Sequence, residues 1–93
     1  MATSKIYGGV TAAIWECVKA TSLKDHGTVY APEGASKGTA TTNVPVIGTI
    51  ELGFDYDAVK DTVSYNIIKK PFLVSANQIW DGIQDTIDGC SGK

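Results

Sequence analysis

The feature that most constrains the fold of this chain is an alternation of apolar and polar residues in its second half. The alternating apolar positions lie on both sides of a turn at 57–61: Val46, Ile50, Leu52, Phe54 and Tyr56 precede it, and Val63, Tyr65 and Ile67 follow it. Successive side chains of a strand point to opposite faces, so this spacing predicts an antiparallel hairpin with one apolar and one polar face. The apolar face then requires a cover.

The residues before the hairpin add further strands. Residues 39–44 are rich in threonine and end at Pro45, which cannot donate a ladder hydrogen bond, so we expect a strand at the edge of the sheet. Glycine and proline are dense between residues 25 and 38, which predicts a connection. A short strand over 28–31 within that connection would be the fourth of the sheet.

A first amphipathic helix is predicted over residues 10–21. Val10, Ala13, Ile14, Cys17 and Val18 recur there at spacings of three and four, which is typical of one apolar helix face.

A second helix has clearer boundaries. Ser75 is the expected N-cap, Gln78 completes a capping box, and Gly89 is expected to end the helix. Its apolar stripe consists of Ile79, Ile83, Ile87 and Cys90.

Together these elements predict a single α+β domain over residues 1–93. The expected architecture has two layers, with an antiparallel meander of three to four strands covered on one face by the N-terminal and the C-terminal helix, in the order α-β-β-β-α. The chain has 93 residues, 43% of them hydrophobic and 19% charged, which is enough to build one core without a metal. We expect a small soluble protein.

Cys17 and Cys90 lie on the apolar stripes of the two predicted helices. Packing both helices on one sheet face would bring their sulfur atoms together, so we predict a Cys17–Cys90 disulfide under oxidising conditions. A cysteine pair in a small domain favours export to the periplasm or secretion over a cytoplasmic location. The N-terminus lacks the apolar core of a signal peptide, so an exported protein would need a leader that this chain does not carry.

Charge and hydropathy exclude several classes of partner. All eight basic residues are lysines and the formal net charge is −2, so the chain lacks the arginines and the basic patch that nucleic-acid recognition uses. Its apolar runs are far shorter than the roughly 20 residues of a membrane-spanning helix. We expect neither a nucleic-acid partner nor a membrane span.

Two constellations have both a chemical and a structural interpretation. Asp55, Asp57 and Asp61 resemble a calcium loop but lack its glycine and distal glutamate, and turn chemistry is favoured. Cys17 with His26 could form a nucleophile and base, although Cys17 lies on an apolar stripe and a core role is favoured. The sequence predicts no catalytic residue, no cofactor and no metal.

The best candidates for contacts with a partner are aromatic. Trp15 and Trp80 each lie beside the apolar stripe of their helix, where tryptophan is usually at the rim of a core and sometimes in a binding patch. Tyr30 begins the loop 30–37, and the polar sheet face offers a third surface.

The favoured function is therefore a small non-enzymatic binding protein, monomeric and exported, with a protein as the expected partner. The alternative is a self-associating structural subunit that pairs through the edge strand at 39–44. A small hydrolase or redox enzyme is the weakest of the three hypotheses. No residue pattern selects a ligand.

Overall fold

A computed structural model of the chain describes residues 3–92. Within them, two helices and five strands are formed, and the strands make one antiparallel sheet. In chain order the elements are β1 (Ser4–Tyr7), α1 (Ala12–His26), β2 (Val29–Ala31), β3 (Lys37–Val44), β4 (Gly48–Asp57), β5 (Thr62–Lys69) and α2 (Ala76–Ser91). The strands lie side by side in the order β1-β5-β4-β3-β2.

Both helices cover the same face of the sheet. Trp15 of α1 stacks on Tyr56 of β4, with ring centroids 5.1 Å apart and planes 9° from parallel. The Tyr7 hydroxyl of β1 donates a 3.0 Å hydrogen bond to the carbonyl oxygen of Trp80 in α2. The predicted two-layer α+β fold with an antiparallel sheet is confirmed.

The strand count and the element order differ from the prediction. The sheet has five strands rather than three or four, because β1 precedes the first helix and pairs with β5, with Tyr7 opposite Val63. The short strand expected within 28–31 is β2. The order is therefore β-α-β-β-β-β-α. A four-residue strand is too short for its alternation to be recognised in sequence.

The prediction that residues 39–44 lie at the edge of the sheet is wrong for half of them. This segment belongs to β3, which pairs with β4 along its whole length and with β2 at residues 39–41. The sheet edges among residues 3–92 are β1 and β2, together with residues 42–44 of β3 where they extend beyond β2. Pro45 directly follows these edge residues and ends the strand in a turn.

The first helix begins and ends later than predicted. Thr11 is its N-cap, and the Thr11 hydroxyl accepts a 3.3 Å hydrogen bond from the Ile14 amide. Val10 lies before the helix, fully buried, and its amide donates to the Asp61 carbonyl at 2.8 Å. Gly27 ends the helix with a φ of 69°, a left-handed conformation that glycine adopts without steric cost.

The second helix has the predicted capping box. The Ser75 hydroxyl accepts from the Gln78 amide at 3.2 Å, and the Gln78 side chain accepts from the Ser75 amide at 2.8 Å. The expected end at Gly89 is wrong, because the helix continues to Ser91 and Gly92 provides the left-handed cap. One glycine inside a helix costs only about 1 kcal/mol relative to alanine, which the packing of α2 overcomes.

The hydrophobic core lies between the helices and the covered face. Leu52, Phe54 and Tyr65, which we expected on that face, are buried, and Ile67 packs against them while partly buried. The other core residues are Tyr7, Val10, Trp15, Val18, Ala40, Tyr56, Val63, Ala76, Ile79, Trp80 and Ile87. Burial of this apolar surface is the main driving force for the fold.

The two helices run antiparallel, because Cys17 in the first half of α1 meets Cys90 at the end of α2, whereas His26 at the end of α1 lies in the same hollow as Gly82, about two turns earlier in α2. They have 15 and 16 residues. Neither helix of the described chain has the length and hydropathy needed to cross a bilayer.

Candidate functional site

The two tryptophans expected at a partner-binding rim lie in the core. Trp15 and Trp80 are each only 3% exposed. Trp15 packs against Tyr56, Phe54 and Tyr30, and its indole also has the Lys19 ammonium 5.5 Å from its centroid. A buried ring presents almost no surface to a partner, so the packing of both indoles gives no support to that role.

Tyr30 lies in β2 and not in a loop. Its ring is partly buried and forms edge-to-face contacts with Trp15 and Phe54, at centroid distances of 5.5 and 5.1 Å. Its hydroxyl shares a 2.9 Å hydrogen bond with the Tyr65 hydroxyl. The sheet therefore holds Tyr30 inward, and the side chain contributes to an internal surface.

Cys17 and Cys90 are brought together as predicted. Their Cα atoms are 5.8 Å apart, and the sulfur atoms are at disulfide distance. The Thr21 hydroxyl lies 3.7 Å from one sulfur and 3.6 Å from the other. His26 is nine residues further along α1, about 13 Å away along the helix axis. The arrangement is structural, and the nucleophile and base considered for Cys17 and His26 are not brought together.

The Asp57 side chain stabilises the turn between β4 and β5. One of its carboxylate oxygens accepts hydrogen bonds from the amides of Val59 at 2.9 Å and Lys60 at 3.2 Å. Asp55 lies on the opposite face of the sheet from the core, exposed to solvent. Turn chemistry, the favoured interpretation of these aspartates, is confirmed for Asp57.

The polar sheet face has one shallow depression. It is centred on Gly53, where the Asn66 side chain crosses so closely that a Cβ on residue 53 would overlap the amide. The rim consists of Lys37, Thr39, Asp55, Ser64 and Asn66. Its rim side chains are polar or charged, and the exposed Ile6 lies next to it, opposite Ser64 in the register of β1 and β5.

An apolar cleft with a volume of about 220 Å³ lies between the helices and the covered sheet face. Its floor is formed by Ala40, Val44, Ile50 and Leu52 of β3 and β4, and its walls include Val18 of α1 with Ile79 and Ile83 of α2. We refer to it as the interhelix cleft. Ligand sites are typically concave and mostly apolar with a few polar groups, and this cleft has that character.

Small residues leave the cleft open. Gly82 lines its α2 wall, and a Cβ built on Gly82 would meet no heavy atom within 4 Å. Ala40 on the floor and Ser22 on the α1 wall are small as well. Larger side chains at these three positions would fill the space and convert the cleft into ordinary core.

Polar groups line the cleft at the end of α1, and Gln78 and Thr86 add two more from α2. The hydroxyls of Thr28 and Thr42 share a 2.6 Å hydrogen bond, and His26 lies exposed at the entrance. Burial raises the pKa of Tyr30, with hydrogen bonds from Tyr65 and Ser22 opposing the rise. The phenol therefore stays protonated at neutral pH and can donate a hydrogen bond.

The cleft was missed in the sequence because it is assembled from both helices and three strands. The available signal was Gly82, a glycine within a strong helix pattern, between the stripe residues Ile79 and Ile83. A glycine at that place weakens the helix and suggests a packing or binding reason.

No protein-family model matches this chain, and no match was found among curated proteins or solved structures.

Proposed function

We propose that the chain is a non-enzymatic binding protein that holds a small, mainly apolar molecule in the interhelix cleft. The observation that carries the proposal is an open, mainly apolar cleft between the two helices and the covered sheet face. The walls of that space combine isoleucine, leucine and valine side chains with very few polar atoms. Burying apolar ligand surface there is favourable by about 25 cal/mol per Å².

The lining also indicates the shape of the ligand. The volume of about 220 Å³ exceeds the roughly 150 Å³ of an engineered cavity that binds benzene, and it is below the usual range for drug-sized ligands. A hydrogen-bonding end would face Thr28, Thr42 and Tyr30, while the apolar body would lie against α2. Alkylphenols and medium-chain alcohols have this combination of features.

An exported location belongs to the same proposal. The pairing of Cys17 with Cys90 at disulfide distance supports it, because such bonds persist in oxidising compartments. A binding protein outside the cytoplasm would gain stability from the cross-link.

The direct test is to measure ligand binding by the full chain. Alkylphenols and straight-chain alcohols serve as probes, and thermal unfolding and ligand-observed NMR detect their binding. A ligand at a hundredfold excess over its Kd should stabilise the protein by about 2.7 kcal/mol. Gly82 lines the cleft, so Gly82→Leu adds a bulky side chain at its wall and should weaken or abolish binding. Gly89→Leu makes the same change in the same helix outside the cleft, and should leave binding intact.

Two outcomes would contradict the proposal. One is a set of probes that leaves the melting temperature and the NMR signals unchanged. The other is binding of unchanged affinity in Gly82→Leu, since the ligand would then lie elsewhere.

A self-associating subunit is the second candidate. It is supported by residues 42–44 of β3, whose backbone extends beyond the end of β2 and could pair with another chain. A concentration series in light scattering tests it, and a monomer at the highest concentration would rule it out.

A further inference from the structure

Four exposed apolar side chains lie on two neighbouring loops at one end of the sheet. Val46 and Ile47 form the β3–β4 turn, and Phe72 and Leu73 belong to the loop between β5 and α2. Phe72 is 96% exposed and Val46 is fully exposed. The loops are adjacent, since a Cβ built on Gly48 would lie 3.1 Å from a ring carbon of Pro71. We call Val46, Ile47, Phe72 and Leu73 the apolar tip.

Two lysines lie next to the tip loops in the chain. Residues 42–50 and 69–80 contain two charged side chains, Lys69 and Lys70, and both are basic. Glu51 is the register partner of Lys69, so the tip loops and the strand residues beside them hold two lysines and one glutamate, although the whole chain carries −2. The Lys70 ammonium also donates to the Val74 carbonyl at 2.8 Å, which fixes the loop that carries Phe72.

The shape and charge of the tip suit one kind of partner. Exposed aromatic and aliphatic side chains on protruding loops can enter the boundary between lipid headgroups and acyl chains, and neighbouring lysines then meet the lipid phosphates. A second copy of this chain would bring a like-charged, equally protruding tip, which fits poorly. An anionic bilayer provides both the soft apolar interior and the opposite charge.

We infer that the apolar tip docks this protein reversibly on the surface of an anionic phospholipid bilayer. The inference stands on the two loops and goes beyond the proposed ligand binding. The two are compatible in space, because Val44, Ile50 and Ile79 line the interhelix cleft and follow or precede the tip loops closely in the chain. A docked molecule would hold the cleft close to a source of apolar ligands.

The experiment is cosedimentation of the full chain with vesicles of phosphatidylcholine mixed with phosphatidylglycerol, and with vesicles of phosphatidylcholine alone. We expect binding to the anionic vesicles that weakens as salt is added. Phe72→Ser should reduce the affinity about tenfold or more, because a buried phenylalanine side chain contributes on that scale. Lys69→Gln should weaken binding to the anionic vesicles.

Matched controls lie at the other end of the hairpin. Val59 is 94% exposed in the β4–β5 turn, and Lys60 follows it. Val59→Ser and Lys60→Gln should leave vesicle binding unchanged.

Failure to bind anionic vesicles, or equal loss in Phe72→Ser and Val59→Ser, would overturn the inference. Self-association that Phe72→Ser abolishes, without vesicle binding, would assign the tip to a second copy. None of these readouts depends on Gly82→Leu, so failure here and failure of the cleft proposal are distinguishable.

Discussion

The hydroxyl of Tyr30 lies 2.9 Å from the hydroxyl of Tyr65, and this contact joins β2, at one edge of the sheet, to β5 across two intervening strands. Tyr65 is 1% exposed. The ring of Tyr65 also meets Tyr7 edge to face, at 6.0 Å between centroids. One phenol proton is enough for the hydrogen bond between the two oxygens, but burial disfavours the negative charge that either phenol would carry after losing its proton.

We predict from this pair a loss of stability at alkaline pH. Burial raises the pKa of Tyr65 far above its ordinary value, and burial also raises the pKa of Tyr30. Burial, with the Asp81 carboxylate adding to it, raises the pKa of Tyr7 to about 12. These folded-state pKa values exceed the unfolded value near 10. The stability that the neutral phenols contribute is therefore complete below about pH 10 and is lost as the pH rises through the folded-state pKa values.

Tyrosinate absorbance during an alkaline titration measures this effect. The pKa of Tyr56 is raised as well, so all four tyrosines of the chain are affected. We expect the tyrosinate signal of the folded protein to appear at higher pH than in the unfolded chain, with a cooperative rise together with unfolding above about pH 10. In urea, all four should titrate near 10. A gradual signal near pH 10 without unfolding would contradict the burial of these phenols.

Substitutions on the two faces of the sheet should differ in their effect on stability. Loss of a core aromatic residue should cost far more than a change on the polar face. Phe54 is 2% exposed and packs against Trp15 and Tyr30, so Phe54→Ala should cost about 3–5 kcal/mol and nearly unfold the protein. Ser64, on the polar face, makes one long 3.4 Å bond to the Asp55 carbonyl. Ser64→Ala should change the free energy of unfolding by about half a kcal/mol, measured by urea denaturation. Equal costs would mean that the faces are assigned incorrectly.

Cys17 and Cys90 should be oxidised in protein purified from an oxidising compartment. Alkylation of unfolded, unreduced protein followed by intact-mass analysis should add no alkyl group. The cross-link spans 73 residues, and the chain-entropy model gives such a loop about 4 kcal/mol. Reduction, or the double substitution to serine, should lower the free energy of unfolding by an amount of that order. Two added alkyl groups would argue against both the bond and the proposed export.

Two glycines should respond to alanine in opposite directions. A Cβ on Gly38 would overlap the carbonyl oxygen of Ala31 and lie 2.9 Å from the ring of Pro32, so Gly38→Ala should push β2 away from β3 at a cost of about 1–3 kcal/mol. Gly89 lies in α2 with no heavy atom within 4 Å of a built Cβ. Gly89→Ala should therefore stabilise the protein by up to about 1 kcal/mol. Thermal unfolding of both variants checks the signs, and a neutral Gly38→Ala would contradict the close approach of β2.

The sequence was informative where a pattern is local. Alternation over β4 and β5 predicted which side chains would be covered, because pleating alone decides it. Ser75 and Gln78 located the start of α2 for a similar reason, since the capping box uses neighbouring residues only. The Cys17–Cys90 proximity followed from two stripes packed on one face.

The sequence was less informative where distant segments decide the structure. The buried residues of α1 are Trp15, Val18 and Ser22, which is a face rotated from the predicted stripe. The large indole gains more from burial than Ala13, which is exposed. Which face of α1 is buried depends on the rest of the fold, so no local sequence pattern reveals it. The cleft was not predicted for the same reason, because its two helical walls, α1 and α2, lie far apart in the chain.

The position of the Cys17–Cys90 pair also determines how the protein would respond to mechanical load. With the bond formed, tension applied at the two chain ends passes through the sulfur atoms and bypasses β2 to β5. In the described chain, β1 and the first turn of α1 lie outside the closed loop on one side and only the last residues of α2 on the other. A pull would peel β1 from β5 and then stop at the cross-link. After reduction, the same pull would extend the whole sheet.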